Sequence, residues 1–311
     1  MIKKSVYLNA FNSLFKLLFL ITGILALMSL TGCKEHFVGL LNPKGLIAYQ
    51  ERKLFFDTLA LMLIVVIPVI IMSITFVYHY QVSHRIKDYK PNWSHNFYLE
   101  AIWWGVPCVI ILILAIMTWK STHELDPYQR IPGHSQEPLV VEVIALPWKW
   151  LFIYPEQNVA SLNYLTIPAG QQVEYRITAD NVPMSAFFIP QLGSQIYAMA
   201  GMRTRLHLLA NEVGVYDGLN TQFNGDGFSD MHFEVHVVEP EQLTQWFASA
   251  KASPNQLTDA AYTKLLAPSM SDKPQLFSGT VPGLFDNVIM TYMSSTGANH
   301  PRVQSNTPQK G

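Results

Sequence analysis

Thr58 to Tyr78 reads TLALMLIVVIPVIIMSITFVY, a run of about 20 residues without a charge. That is enough helix to cross a hydrocarbon core of about 30 Å at 1.5 Å per residue. A second run, Ala101 to Trp119 (AIWWGVPCVIILILAIMTW), repeats the pattern with Trp103, Trp104 and Trp119 placed as interfacial aromatics. Pro68 and Pro107 are tolerable kinks where neighbouring helices cover the freed carbonyls. Two such runs joined by a polar loop predict a transmembrane helical hairpin over 54–120.

Upstream, Lys3 and Lys4 open a basic region, an apolar stretch runs from Leu17 to Leu30, and Leu30-Thr31-Gly32-Cys33 closes it with small residues before a cysteine. This is the pattern of a bacterial lipoprotein signal over 1–32. It makes Cys33 the lipidated first mature residue, each buried CH₂ adding about 0.8 kcal/mol of membrane affinity. A third transmembrane helix with an incidental cysteine is the competing reading. The basic residues do not settle orientation, since Arg85, Lys87 and Lys90 in the loop face Lys34, Lys44, Arg52 and Lys53 before the first span. An acylated Cys33 on the outer face does settle it. Residues 33–53 are then periplasmic, the loop near 79–99 cytoplasmic, and everything after Lys120 periplasmic, in the bacterial inner membrane.

Composition agrees with a mixed architecture. Of 311 residues 14% are charged and 50% hydrophobic, with a mean hydropathy of +0.17. Soluble domains carry about 25% charged residues. Lys and Arg number 21 against 22 Asp and Glu, with no basic patch, which leaves nucleic acid out as a partner. From Ser121 onward the balance is acidic, ten basic residues against seventeen acidic. Short β-branched and aromatic runs fill this region: Leu139 to Ala145, Trp148 to Tyr154, Gln172 to Thr178, Ala186 to Ile189, Thr204 to Leu209 and Met231 to Val238. Pro and Gly punctuate them, and Asn224-Gly225 is a hairpin signal. A Greek-key sandwich over 121–239 follows. After Pro240, Leu243, Trp246, Phe247, Leu257, Tyr262, Leu265 and Leu266 recur at helical spacing, predicting short helices packed on the sandwich over 240–293. The polar tail 294–311 is expected to be disordered.

The residues permit little chemistry by themselves. His232 and His236 share a strand face about 13 Å apart at 3.3 Å per residue, too far to chelate one ion. Only Cys33 and Cys108 are present, so neither a disulfide framework nor thiolate metal chemistry is available to the periplasmic domain. No G-x-S-x-G occurs, and Gly225-Asp226-Gly227 reads as a turn rather than a phosphate loop. Glu100, at the cytoplasmic mouth of the second span, is a proton-uptake candidate, although a first-turn carboxylate is also favoured by the helix dipole. Trp148, Trp150, Phe152 and Tyr154 share one strand face, the signature of a core or subunit contact.

Longer runs carry a resemblance. The lipobox, LNPKG (Leu41 to Gly45), PNWSH (Pro91 to His95), WKWLFIYPEQ (Trp148 to Gln157), FFIPQLGSQIYAMAGM (Phe187 to Met202) and TRLHLLANE (Thr204 to Glu212) closely resemble subunit II of the cytochrome bo-type ubiquinol oxidases, from about Cys33 to Phe285. The resemblance implies a two-helix hairpin carrying a cupredoxin-like domain, in agreement with the reading above. The cytochrome c oxidases of the wider haem-copper superfamily hold a dinuclear copper centre in subunit II. With Pro190 and Gly218 as anchors, its ligand positions fall here on Ser185, Asn220, Asn224, Phe228 and Met231, and the glutamate between its cysteines on Gln222. Four of the five ligand types are gone, so the resemblance implies no metal and no catalytic residue in this chain.

Haem b, haem o, copper and the quinol are then expected in subunit I, the direct partner, with subunits III and IV in the same complex and lipid around it. The reaction would be ubiquinol and O₂ to ubiquinone and water, with proton pumping. Glu100 matches the acidic residue at the mouth of a proton channel, while Trp148, which matches the tryptophan beside the copper centre, is left a packing role. The alternative is a lipid-anchored periplasmic binding or sensor module on a degenerate cupredoxin domain.

Overall fold

The computed structural model describes residues 21, 23, 39–80, 95–133, 136–270 and 272–294. Cys33, the signal over 1–32, the loop cations Arg85, Lys87 and Lys90, and residues 295–311 of the tail lie outside the described residues.

Both apolar runs are helical, and both helices outrun them: α1 spans Leu46–His79 and α2 Phe97–Glu124. The extra turns have local causes. Asn96 caps α2, its side chain accepting from the amides of Tyr98 and Leu99. The start of α1 is held by the sandwich: Gly45 forms a bridge with Ala210, and its amide and that of Lys44 donate to Gln191 O at 3.0 and 2.7 Å. A Cβ on Gly45 would stand 2.8 Å from the carbonyl oxygens of Leu192 and Leu209, so this approach needs glycine. The side chains of both helices are almost wholly exposed within this chain, as expected of helices whose apolar surface faces lipid or neighbouring subunits. Helical structure therefore starts within the segment expected to be extramembrane, and the expected boundary at 120 cuts the last turn of α2.

The start of α1 and the end of α2 both abut the β-domain, so the 95–96 end of α2 points away from it. Eleven strands follow: β1 Leu139–Leu146, β2 Lys149–Tyr154, β3 Val159–Leu162, β4 Tyr164–Pro168, β5 Gln172–Ala179, β6 Met184–Phe188, β7 Gln195–Met199, β8 Thr204–Leu209, β9 Gly214–Asn220, β10 His232–Val238 and β11 Gln275–Phe277. They form one sheet in the order β11-β3-β2-β1-β5-β8 and another in the order β4-β10-β9-β6-β7. The chain crosses repeatedly between the two, as a Greek-key sandwich does, and β1–β5 and β4–β10 pair in parallel. Pro168 ends β4 and Gly214 begins β9. Asn224-Gly225 does not form a tight hairpin: β9 and β10 pair antiparallel across a long loop containing the 3₁₀ turn Phe228–Asp230, with Gly225 at φ +113°.

An aromatic cluster centres the sandwich. Phe187 stacks on Phe233 at 5.3 Å and meets Trp150, Phe152 and Tyr175 at 5.3–6.4 Å. The other face of β1 and β2 is buried too. Ile144, Leu146, Leu151 and Ile153 pack against Leu257, Tyr262, Phe285 and Ile289. While α3 Pro240–Lys251 sets Leu243 and Ala250 into the core between the sheets and β11 joins the first sheet beside β3, α4 Asp259–Leu265 and α5 Leu284–Ser294 build a third layer. The physical reason is visible in β2: every residue from Lys149 to Tyr154 is buried, and a strand covered on both faces needs a layer on each side.

Candidate functional site

Three of the five positions matched to the copper ligands converge. Asn224 Nδ2 donates to Ser185 Oγ and contacts Met231 Sδ, each at 3.2 Å. Asn220 stands beside them: its Oδ1 accepts from the amides of Ala186 at 2.8 Å and Gln222 at 3.1 Å, and its Nδ2 donates to Gln222 O at 2.8 Å. Phe228 is turned to Phe223, with ring centroids 5.6 Å apart. The pocket therefore offers a hydroxyl, amides and one thioether, the Asn220 amide spent on backbone and the Asn224 amide N–H on Ser185 and Met231. Imidazole and thiolate, the donors copper prefers, are missing from all five positions.

Trp148 sits directly against this loop. It lies outside β2 with φ +62°, its indole N–H donates to Asn224 O at 3.3 Å, and a Cβ on Gly227 would fall 2.3 Å from its ring. Trp150, Phe152 and Tyr154 are core residues, as the period-2 pattern predicts, while Trp148 is half-buried and closes the copper-equivalent loop. Such a left-handed backbone at a bulky residue is costly and needs support from its surroundings.

Glu100 occupies the first turn of α2, at the end away from the sandwich, with His95 Nδ1 3.2 Å from its carboxylate. Both are substantially exposed within this chain. His232 is exposed on β10, and His236 is paired with Glu234 at 2.9 Å against the ring of Tyr164. No group of three or more His, Cys, Asp or Glu side chains with metal-binding geometry occurs among the described residues.

Several buried polar groups carry no sequence signature. Asp180, 3% exposed, accepts from Tyr262 Oη at 2.6 Å and Tyr292 Oη at 2.7 Å, joining the sandwich to α4 and α5. Lys149, on β2, is buried and reaches Asp272 at 2.9 Å and Ala267 O at 3.0 Å. Burial raises the Asp272 carboxyl, but hydrogen bonds from Ser269 and Lys149 and the Lys149 charge outweigh it and hold it below its ordinary 3.8. Likewise burial works against Glu174, yet the Arg176 guanidinium at 2.9 Å, with help from His207 and Arg205, keeps its carboxyl low. The Asp180–tyrosine and Lys149–Asp272 contacts join positions far apart in sequence, which single-chain periodicity does not reveal.

Residues 251–295 match the COX Aromatic Rich Motif family, the stretch that builds most of the outer layer. The chain is 46% identical over 253 residues to cytochrome bo(3) ubiquinol oxidase subunit 2 of Pseudomonas aeruginosa, covering 81% of this chain and 76% of that one. It is 42% identical over 271 residues to ubiquinol oxidase subunit 2 of Acetobacter aceti, covering 87% of each. Among solved structures, the periplasmic domain of subunit II of cytochrome oxidase of Bradyrhizobium japonicum is similar at 21% identity and a TM-score of 0.36, over 38% of this chain and 96% of that domain.

Proposed function

The chain belongs to the ubiquinol oxidase subunit 2 family, and from that membership we propose that it serves its complex as a covering and proton-uptake subunit that carries no electrons. It is a subunit of a quinol-oxidising complex, whose overall reaction converts two ubiquinols and O₂ to two ubiquinones and two waters. The observation that supports a non-redox role is the pocket around Asn224. Ser185, Asn220, Asn224 and Phe228 supply hydroxyl, amide and phenyl groups where a copper centre needs imidazoles and bridging thiolates, so the donor set does not fit copper. Their hydrogen bonds, together with the Trp148 indole against Gly225 and Gly227, make the same loop a packed structural element. Haem and copper chemistry is assigned to subunit I, the direct partner, with subunits III and IV completing the complex.

Topology follows from the hairpin. With Cys33 acylated at the outer face of the inner membrane, the β-domain is periplasmic and the His95–Glu100 end of α2 lies on the cytoplasmic side. Glu100 is a carboxylate at a helix mouth, where a proton can be taken from water and passed inward along a partner subunit. His95, at 3.2 Å, is placed to hand it that proton.

The test is O₂ consumption by the complex isolated through a C-terminal tag, with a short-chain ubiquinol or reduced cytochrome c as donor. Turnover with quinol alone is expected, falling about 100-fold in Glu100→Ala, the low end of the effect general for a lost proton-transfer group. Turnover with cytochrome c would overturn the non-redox reading. An unchanged Glu100→Ala would remove the proton-uptake role.

A further inference from the structure

We propose that the acyl chains on Cys33 lie along the face of α1 turned away from α2, which makes the anchor a packed part of the hairpin. This placement rests on the acylation of Cys33 proposed above, Cys33 itself lying outside the described residues. From Gly39 onward the chain is stitched to the β-domain before α1 begins. A Cβ on Gly39 would stand 2.5 Å from Pro190 Cβ, the amides of Lys44 and Gly45 donate to Gln191 O, Lys44 O accepts from the Asn211 amide, and the Lys44 ammonium pairs with Glu212. The segment also folds back on the helix. Arg52 Nη1 donates to Leu41 O at 3.2 Å, while its guanidinium lies 5.2 Å from the centre of the Tyr49 ring. Leu41 and its neighbour Leu40 are exposed.

Chain length limits where the anchor can go. Cys33 stands six residues before Gly39, at most about 20 Å of extended backbone. Thr58, where the uncharged run starts, lies about 9 Å along the helix from Arg52. An acylated Cys33 therefore enters the membrane near α1, on the side marked by Arg52. The helix face on that side is apolar and unpartnered within this chain. Phe56, Leu59, Leu63 and Val66 follow Arg52 at helical spacing, share its face and are all exposed. The other side belongs to α2, since Lys53, Leu54 and Asp57 line a cleft with Met117, Lys120 and Ser121. At about 100° per residue those three positions centre about 150° round the helix from Arg52. The outer half of a core about 30 Å thick takes about ten helical residues, so Leu59, Leu63 and Val66 cover the depth that chains entering from the outer face fill. A tether this short keeps the same chains at this face, where free lipids exchange.

The experiment uses the whole complex, purified through this chain from cells fed a fatty acid that carries a photoreactive diazirine. After irradiation and digestion, mass spectrometry identifies the peptides joined to the Cys33 peptide through its acyl chains. The joined positions should be Leu59, Leu63 and Val66 in preference to Leu54 and Leu61, which lie on the α2 side. Inserting about ten Gly and Ser residues between Lys34 and Glu35 lengthens the tether from six residues to about sixteen and should lower this crosslinking about fourfold, as effective concentration falls with about the −3/2 power of length. Quinol turnover should stay as it was. Crosslinks from an acylated Cys33 that fall evenly round α1, that fall on a neighbouring subunit, or that are unchanged by the insertion would overturn the placement alone. A Cys33 peptide found without acyl chains, or still joined to residues 1–32, would overturn the acylation on which it rests.

Discussion

Removing the Tyr292 hydroxyl should loosen the outer layer before anything else in the molecule. Asp180 sits at the end of β5 with both carboxylate oxygens occupied, Oδ1 by Tyr292 and Oδ2 by Tyr262. The Tyr292 oxygen also accepts from the Asn181 amide at 2.8 Å. Tyr292→Phe deletes a hydrogen bond to a charged acceptor and orphans an amide, about 2–3 kcal/mol together, and Tyr262→Phe deletes one such bond, about 1.5–3 kcal/mol. The double variant leaves a buried carboxylate without either hydroxyl, so its cost should exceed the sum of the singles, as happens when a buried charge loses its partners. Asp180→Asn keeps one acceptor oxygen and should cost less than the double variant. The readout is amide hydrogen exchange of the purified complex over Leu284–Ser294, where each 1.4 kcal/mol of lost protection is about tenfold in exchange rate. Tyr292→Phe should accelerate exchange there about 30- to 150-fold while leaving the strands of the second sheet unchanged. Acceleration below about threefold, or equal acceleration in both sheets, would refute the idea that this carboxylate ties the layers together.

Three other outcomes follow from the packing and the charges. Asp272 has a lowered pKa, so the folded state gains stability wherever this group is ionised, fully above its ordinary 3.8, and loses that gain as pH falls through the lower folded value; thermal melts should show an acid-side decline below about pH 4 that Asp272→Asn flattens. Phe187→Ala empties the centre of the aromatic cluster and should cost about 3–5 kcal/mol, read as a lower melting temperature of the complex. Gly45→Ala forces a Cβ to within 2.8 Å of two carbonyl oxygens, so the backbone must shift at about 1–3 kcal/mol, seen as faster proteolysis next to residue 45 with quinol turnover of the surviving complex intact.

Much of this structure was legible in the chain, for reasons that differ by element. Uncharged runs of membrane length announce themselves, and six strands with dense β-branched or aromatic content were placed within a few residues. The strands that escaped notice, β3, β4, β7, β9 and β11, are short or carry Ser, Asn, Asp, Gly and Gln, and they are strands because their neighbours in the sheet offer hydrogen bonds. The copper-equivalent positions came from the family resemblance, and Ser185, Asn224 and Met231 do come together. The Asp180–tyrosine and Lys149–Asp272 contacts join positions separated by 82 to 123 residues, beyond the reach of any local pattern.

The third layer bears on how the protein is made. Leu151 and Ile153, in the first half of the sandwich, gain their cover from Phe285, Val288 and Ile289, which leave the ribosome more than a hundred residues later. At roughly 5–20 residues per second, the β-domain spends several seconds with one face of its central strands bare. A chain cut short before residue 284 would keep that face open indefinitely.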